Sequence, residues 1–241
     1  MNADRLEELL ERRQRLESLP PQAADYAARL SELRAWQSAR LERTYRDLHQ
    51  DPRYSGAVEF FLSDLYGPEE LVERNRNLTR ALRYLRRALP AAAVKVLQRA
   101  IELDVASAEL DHAMVNALPP GAISEATYAA AYRAVGMPAA RVKQIELTVA
   151  IGADLDRIVQ RAWLGPLLRA AHAPARAAGL GALQDFLERG YDAFRRMQGA
   201  GRLLNAIKER ETDYMRRMLG VAEQSAAAHD GARHGPGRRR S

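Results

Sequence analysis

The sequence predicts an all-α protein, an irregular multi-helix bundle of roughly ten helices with no sheet. Apolar residues recur at helical spacing through most of the 241-residue chain. Proline and glycine divide the chain into pieces of helical length. No short window alternates apolar and polar side chains between turn signals, as a half-buried strand would.

The first half of the chain is predicted to hold five helices. Their ranges are 4–17, 22–49, 55–66, 68–89 and 90–118. Proline marks most boundaries, because it lacks an amide donor and fits only the first turn of a helix. These boundary segments are Pro20-Pro21, Asp51-Pro52, Gly67-Pro68, Pro90 and Pro119-Pro120-Gly121. Ser55 is predicted to be the N-cap of the third helix.

The second half is predicted to begin with a helix over 125–134 that Ser124 caps and Gly136 ends. Pro138 starts the next helix, whose apolar face continues to Trp163 across a kink or break at Gly152. Gly165-Pro166, Pro174, Gly179 and Gly181 then divide the chain into short pieces. The last predicted helices cover 182–198 and 202–219. The first of these should bury a set of large apolar residues, namely Leu183, Phe186, Leu187, Tyr191 and Phe194.

These elements are assigned to one helical domain over residues 1–221, with a candidate hinge at 119–121. Residues 222–241 are predicted to be a disordered basic tail, because they lack the large apolar side chains that would offset the entropy of ordering. The tail carries four arginines, Arg233, Arg238, Arg239 and Arg240, which are opposed only by Asp230.

Composition narrows the class of protein. The chain contains no cysteine, which excludes disulfides, thiolate metal sites and a cysteine nucleophile, and which favours a cytoplasmic location. The N-terminal residues lack the apolar core of a signal peptide, and charges interrupt every apolar run, so no membrane span is predicted. The net charge is +6, and arginine supplies nearly all of the basic residues. A GC-rich coding sequence also produces a chain rich in arginine, whatever the protein binds. A nucleic-acid partner is therefore not favoured.

Two segments carry a resemblance to a known family. The first runs from Arg34 to Leu41 and on to Phe60-Phe61-Leu62-Ser63-Asp64-Leu65-Tyr66. The second covers 182–211. Together they are similar to the bacterial FFLEELY-motif proteins, with Ser63 and Asp64 where the family name has two glutamates. The resemblance implies a helical fold and supplies no reaction, since the family is uncharacterised.

A ligand or partner site is predicted around the FFLSDLY segment. On a helical wheel, Asp64 lies beside Ala57 and Phe60 at the edge of an apolar stripe that is centred near Phe61. A carboxylate in that position must find a cation or become protonated, and Arg40, Arg43 and Arg53 are the nearby cations. The candidate site residues are Arg40, Tyr45, Arg53, Glu59, Phe60, Asp64 and Tyr66. The alternative interpretation is a structural ion pair that joins this helix to the long second helix.

Two further motifs contain residues that can ligate a metal. Glu109 and His112 have the Glu-x-x-His spacing of di-iron bundles, but no second copy occurs in the sequence, and the pair is interpreted as a solvated polar face. His229 and His234 in the tail could bind a metal only weakly, because a third ligand is missing. The sequence therefore predicts neither a metal site nor a cofactor, and it assigns no catalytic residue.

Residues 125–150 have the helix, turn, helix order of a DNA-binding motif, in which Arg141, Lys143 and Gln144 would face the groove.

Three functions stay open. The first is a non-enzymatic cytoplasmic binding or regulatory protein, whose partner is a protein or a small apolar ligand. The second is a carboxylate- or metal-dependent enzyme that uses Glu59, Asp64, Glu109 and Asp111. The third is a DNA-associated protein that uses the 125–150 segment and the arginine-rich tail.

Overall fold

The structure is a computed structural model that describes residues 8–9, 11–13, 15–16, 25–65, 91–179 and 181–221. Every regular element in these ranges is helical, which confirms the all-α prediction. The helices are α1 (Tyr26–Thr44), α2 (Arg46–Gln50), α3 (Ser55–Glu59), α4 (Ala91–Ala117), α5 (Glu125–Val135), α6 (Pro138–Val159), α7 (Leu164–Ala177), α8 (Gly181–Met197) and α9 (Gly201–Leu219). A π-helical segment, Phe60–Leu65, continues α3.

Four predicted helices are confirmed to within one residue at each end, namely those over 90–118, 125–134, 182–198 and 202–219. Local signals explain this agreement. Gly136, just past the end of α5, has a φ of 61°, a conformation that costs glycine little. Pro138 is the first residue of α6, where its missing N–H is not needed.

The two predicted serine caps have different outcomes. The Ser124 side chain accepts a hydrogen bond from the Thr127 amide at 3.2 Å, and the Thr127 hydroxyl accepts one from the Ser124 amide at 2.9 Å. The Ser55 prediction is wrong, because Tyr54 is the N-cap of α3 and makes no side-chain cap bond. The Ser55 hydroxyl makes only a 3.5 Å contact with the Pro52 carbonyl.

We expect Ser124→Ala to lower the free energy of unfolding by about 1 kcal/mol, because it removes the acceptor for a helix N-terminal amide. Ser55→Ala is the matched control, and its effect should stay within about 0.5 kcal/mol. Urea denaturation of both variants measures the difference. Equal effects of the two substitutions would contradict the cap assignment.

Other boundaries differ from the predictions. The long second helix is interrupted at Tyr45, which separates α1 from α2. No break occurs at Gly152, because α6 runs through it and α9 packs closely there: a Cβ at position 152 would collide with the Leu204 side chain. Gly165-Pro166 does not break the chain but lies in the first turn of α7, where proline is tolerated. Pro174 lies inside α7, which ends three residues later at Ala177.

Two apolar cores lie among these helices. The first is formed mainly by α2, α3, α8 and α9 with the end of α1, and Phe194, Met197 and Leu203 are almost completely buried in it. The second joins α1, α4, α5 and the end of α9 around Leu33 and Met114. Helices α1 and α9 contribute to both cores and therefore connect them.

Burial differs from the sequence prediction at several positions. Phe60 is 5% exposed, whereas Phe61 is only partly buried against the first core. Trp163 and Leu187 were expected on apolar faces, and each is 43% exposed. Trp163 lies beyond the end of α6, so the apolar face of that helix does not extend to it.

Some predictions fall outside the described residues, namely the helix over 68–89 and the tail over 222–241. The hinge at 119–121 stays a prediction, although these residues do separate α4 from α5. None of the described helices combines the length and the apolar character that crossing a bilayer requires.

Candidate ligand-binding groove

The interruption at Tyr45 is held by two neighbouring residues of α9. Arg210 donates to the Thr44 carbonyl at 2.7 Å and to both carboxylate oxygens of Asp47, each at 2.7 Å. The Tyr45 hydroxyl donates to Glu211 at 2.8 Å. These contacts anchor the end of α1 and the start of α2 on α9, and they set the direction in which α2 leaves α1.

The ion pair between Asp47 and Arg210 also changes the acidity of Asp47. Hydrogen bonding to Arg210 lowers the pKa of the Asp47 carboxyl to about 2, which keeps it ionised at neutral pH. Asp47 is 54% exposed, so this pair contributes little to stability by itself. Its main effect is to orient α2.

Arg40 and Glu211 form a mostly buried ion pair. One guanidinium nitrogen, Nη1 of Arg40, lies 2.7 Å from both carboxylate oxygens of Glu211, and the two side chains are 14% and 17% exposed. Burial alone would lower the pKa of Arg40, but the charge of Glu211 and its hydrogen bond outweigh burial and raise that pKa. The Arg40 guanidinium also lies over the ring of Tyr214, 4.3 Å from its centroid.

Aromatic rings of α1, α5 and α9 surround this ion pair. Trp36 stacks on Tyr128 with 3.9 Å between ring centroids, and Tyr132 meets Tyr214 edge-on at 6.2 Å. Burial raises the pKa of Tyr132 to about 12, so this ring stays neutral at physiological pH. The inner face of α1 is therefore packed against aromatic rings on two other helices.

The opposite side of α1 and α2 forms an open groove of about 720 Å³. The groove is lined by Ala39, Glu42 and Arg43 of α1, Arg46, His49 and Gln50 of α2, Glu59 of α3, and Leu62 of the π-helical segment. Residues three, four or seven positions apart lie on one helix face, which brings these side chains together while Leu41, Tyr45 and Leu48 face inward. A π-helical segment at its edge is notable, because such segments are frequent at functional sites.

The charges of the groove differ from those on the inner face. Arg40 and Arg210 have carboxylate partners. Arg43, Arg46 and His49 are exposed, and within the described part of the chain their side chains form no hydrogen bond or ion pair. Among the described residues, the groove therefore presents two fixed positive charges and one histidine whose side chains have no partner, with Glu42 and Glu59 also in the lining.

Among the described residues, the structure brings two of the predicted site residues to a common partner. Arg40 and Tyr45 face Glu211, while Arg53 donates to the carbonyls of Met197 and Gln198 at 2.7 and 3.0 Å. Phe60 is buried against α8, and Glu59 is the one candidate site residue within the described ranges that lines the groove. The Asp64 side chain and Tyr66 lie outside the described residues, so the predicted pairing of Asp64 with an arginine stays a prediction.

The Glu-x-x-His motif serves contacts between helices. Glu109 accepts a hydrogen bond from Arg12 at 2.6 Å, and Nδ1 of His112 lies 3.0 Å from the Tyr26 hydroxyl. Asp111 accepts hydrogen bonds from Arg34 and Gln37 at 3.3 and 3.2 Å, although burial raises the pKa of this carboxyl. These side chains form hydrogen bonds between helices. The sequence interpretation had placed Glu109 and His112 on a solvated polar face instead.

The helix-turn-helix interpretation places three side chains in a DNA groove, and all three have other partners. Arg141 is 6% exposed and donates to the Gly136 carbonyl at 2.8 Å. Lys143 pairs with Glu102 at 2.6 Å, and Gln144 donates to Ser107 at 2.8 Å. The supposed recognition face of α6 is thus turned toward α4 and the α5–α6 turn.

Sequence reasoning missed most of the groove. It named Arg43 only as a candidate partner of Asp64, and it did not name Arg46 or His49 as candidates. The available signal was the recurrence of polar residues along the face opposite Leu41, Tyr45 and Leu48. That signal is weak by itself, because nearly every surface helix carries such a face.

The comparisons with known proteins place the chain in a family. A family model described as "Domain of unknown function (DUF8198)" matches residues 18–225. Comparison with curated proteins and comparison with solved structures gave no significant match.

Proposed function

The chain belongs to the family of the domain of unknown function DUF8198, and we propose that it is a non-enzymatic binding protein whose groove takes a small anionic ligand. The observation that carries this proposal is the pair Arg43 and Arg46, which line the groove and have no acidic partner among the described residues. The expectation of a cytoplasmic location agrees with the lack of cysteine.

The chemistry of arginine favours binding over catalysis at this site. A guanidinium presents several donors in a plane that matches a carboxylate or a phosphate, and it does not lose its proton at any physiological pH. Arg43 and Arg46 line the same groove from adjoining helices, so both can reach an anion held there. His49 adds a third donor to the groove.

The size and the lining of the groove support a small polar ligand. A volume of about 720 Å³ lies within the usual range for small-molecule sites. Most lining side chains are charged or polar, which favours a polar or charged molecule over the small apolar ligand that the sequence suggested. Leu62 brings the FFLSDLY segment, which resembles the motif of the FFLEELY-motif proteins, to the groove.

The test is a calorimetric titration of the metal-free full chain with pyrophosphate and with citrate, in a buffer that contains no other multivalent anion. We expect Arg43→Ala/Arg46→Ala to weaken binding by more than about 10-fold, because each lost charge-assisted hydrogen bond contributes about 1.5–3 kcal/mol. The matched control is Arg216→Ala/Arg217→Ala, which removes two exposed arginines of α9 away from the groove.

The control separates a specific site from general attraction between a basic protein and an anion. Binding that falls equally in both double variants would show that only net charge matters. Binding that survives Arg43→Ala/Arg46→Ala would show that the groove is not the site. Either result would reject the proposal.

A further inference from the structure

A cluster of potential metal ligands lies at the α7–α8 hairpin, far along the chain from the groove residues. His172 on α7 faces Asp185 and Glu188 on α8, and one ligand atom from each lies within 4.8 Å of the other two. Asp185 and Glu188 are three residues apart, so they share one face of α8. Three side chains on two helices thus converge on one point.

The orientation of Glu188 is fixed by a buried neighbour. Gln184 is 4% exposed, and its amide nitrogen donates to the Leu168 carbonyl on α7 at 2.7 Å and to Glu188 at 2.8 Å. Nδ1 of His172 lies 3.0 Å from the same carboxylate oxygen. Gln184 thus joins the two helices and holds the Glu188 carboxylate in place. Side chains that orient metal ligands by hydrogen bonds are common around metal sites.

We propose that His172, Asp185 and Glu188 bind one divalent transition-metal ion of the zinc type, with water completing the coordination. Imidazole favours zinc and its neighbours over magnesium or calcium, and two carboxylates balance the double charge. Bonds of about 2.0–2.1 Å place tetrahedral ligand atoms about 3.3 Å apart. Atoms already within 4.8 Å reach that spacing through small side-chain rotations.

One cation competes with the metal. Nη2 of Arg176 lies 2.9 and 3.1 Å from the two carboxylate oxygens of Asp185. The Arg176 side chain is 56% exposed, and an exposed ion pair of this kind contributes little free energy. Arg176 can therefore move into solvent when a divalent ion binds Asp185.

The Glu-x-x-His criterion requires two ligands on one helix, with a glutamate three residues before a histidine. His172 fails that criterion, because Arg169 precedes it at that distance. The carboxylates that approach His172 come from the next helix, and only the folding of the hairpin brings them near. The site is separate from the anion-binding groove, so neither proposal depends on the other.

The test is a titration of the untagged, metal-free full chain with Zn²⁺, followed by calorimetry and by thermal unfolding. We expect one ion per chain and a rise in Tm with zinc concentration. His172→Gln and Glu188→Gln should each weaken binding by more than about 10-fold. Both positions are partly exposed, so the variants should fold, which circular dichroism verifies.

Two controls match these substitutions. His229→Gln/His234→Gln removes the tail histidines, and Glu146→Gln removes an exposed carboxylate of α6. Both controls should keep the parent affinity. Zinc affinity that persists in His172→Gln, or that is lost with the tail histidines, would overturn the assignment. So would a parent chain that binds no zinc.

Discussion

Glu211→Gln should lower the free energy of unfolding by about 3–5 kcal/mol, because it leaves the buried Arg40 guanidinium without a counter-charge. Nη1 of Arg40 has both of its 2.7 Å contacts with Glu211. Nε of Arg40 is buried and has no hydrogen-bond partner among the described residues, so the rest of the guanidinium offers little compensation. Urea denaturation of the parent and the variant measures the loss.

Two further variants separate the buried pair from a general effect of charge on α9. Glu209→Gln removes an exposed carboxylate two residues away and should change stability by less than about 0.5 kcal/mol. Arg40→Met/Glu211→Leu removes both charges and should recover much of the lost stability, because no unpaired charge stays buried. A Glu211→Gln variant as stable as Glu209→Gln would show that the pair is not important for folding.

Phe60→Ala should also cost about 3–5 kcal/mol, because the ring is almost fully buried between α3 and α8. Its centroid lies 5.1 Å from that of Phe186. The ring also occupies the space that a Cβ at Gly190 would need, since such an atom would lie 2.9 Å from Cζ of Phe60. The absence of a side chain at Gly190 thus makes the Phe60 position possible.

Phe61→Ala is the matched comparison, with the same side chain removed one residue later. Phe61 is only partly buried, so its removal should cost less, about 1–2 kcal/mol. Thermal or urea unfolding of the two variants ranks them. The helical wheel places Phe61 near the centre of the apolar stripe and so predicts the larger loss of stability for Phe61→Ala. Such a result would contradict the burial of Phe60 and the partial exposure of Phe61 in the structure.

Much of the secondary structure could be predicted from the sequence. Ser124, Gly136 and Pro138 act through their own backbone and that of their neighbours, so the pattern around them determines where α5 ends and α6 begins. Gly152 shows the limit of such signals. Glycine in a helix suggests a kink, but here it admits the Leu204 side chain of α9, and the helix continues.

The candidate groove was predicted only in its general location. The sequence directed attention to the second and third predicted helices, and Glu59 and Arg43 do line the groove there. The sequence could not show that Arg40 is buried in an ion pair with Glu211 while Arg43 is exposed in the groove. Their separation depends on which face of α1 meets α9, and that is a property of packing.

The sequence by itself determined the all-α class, the positions of most helices, and a composition without thiols. The first two follow from interactions between residues close together in the chain, and the third is a property of the composition. Tertiary structure alone decided that Arg40 pairs with Glu211, 171 residues away, and that His172 meets carboxylates of the next helix. The physical reason is that a charge can pair with any opposite charge that packing brings near, and the chain offers many such partners.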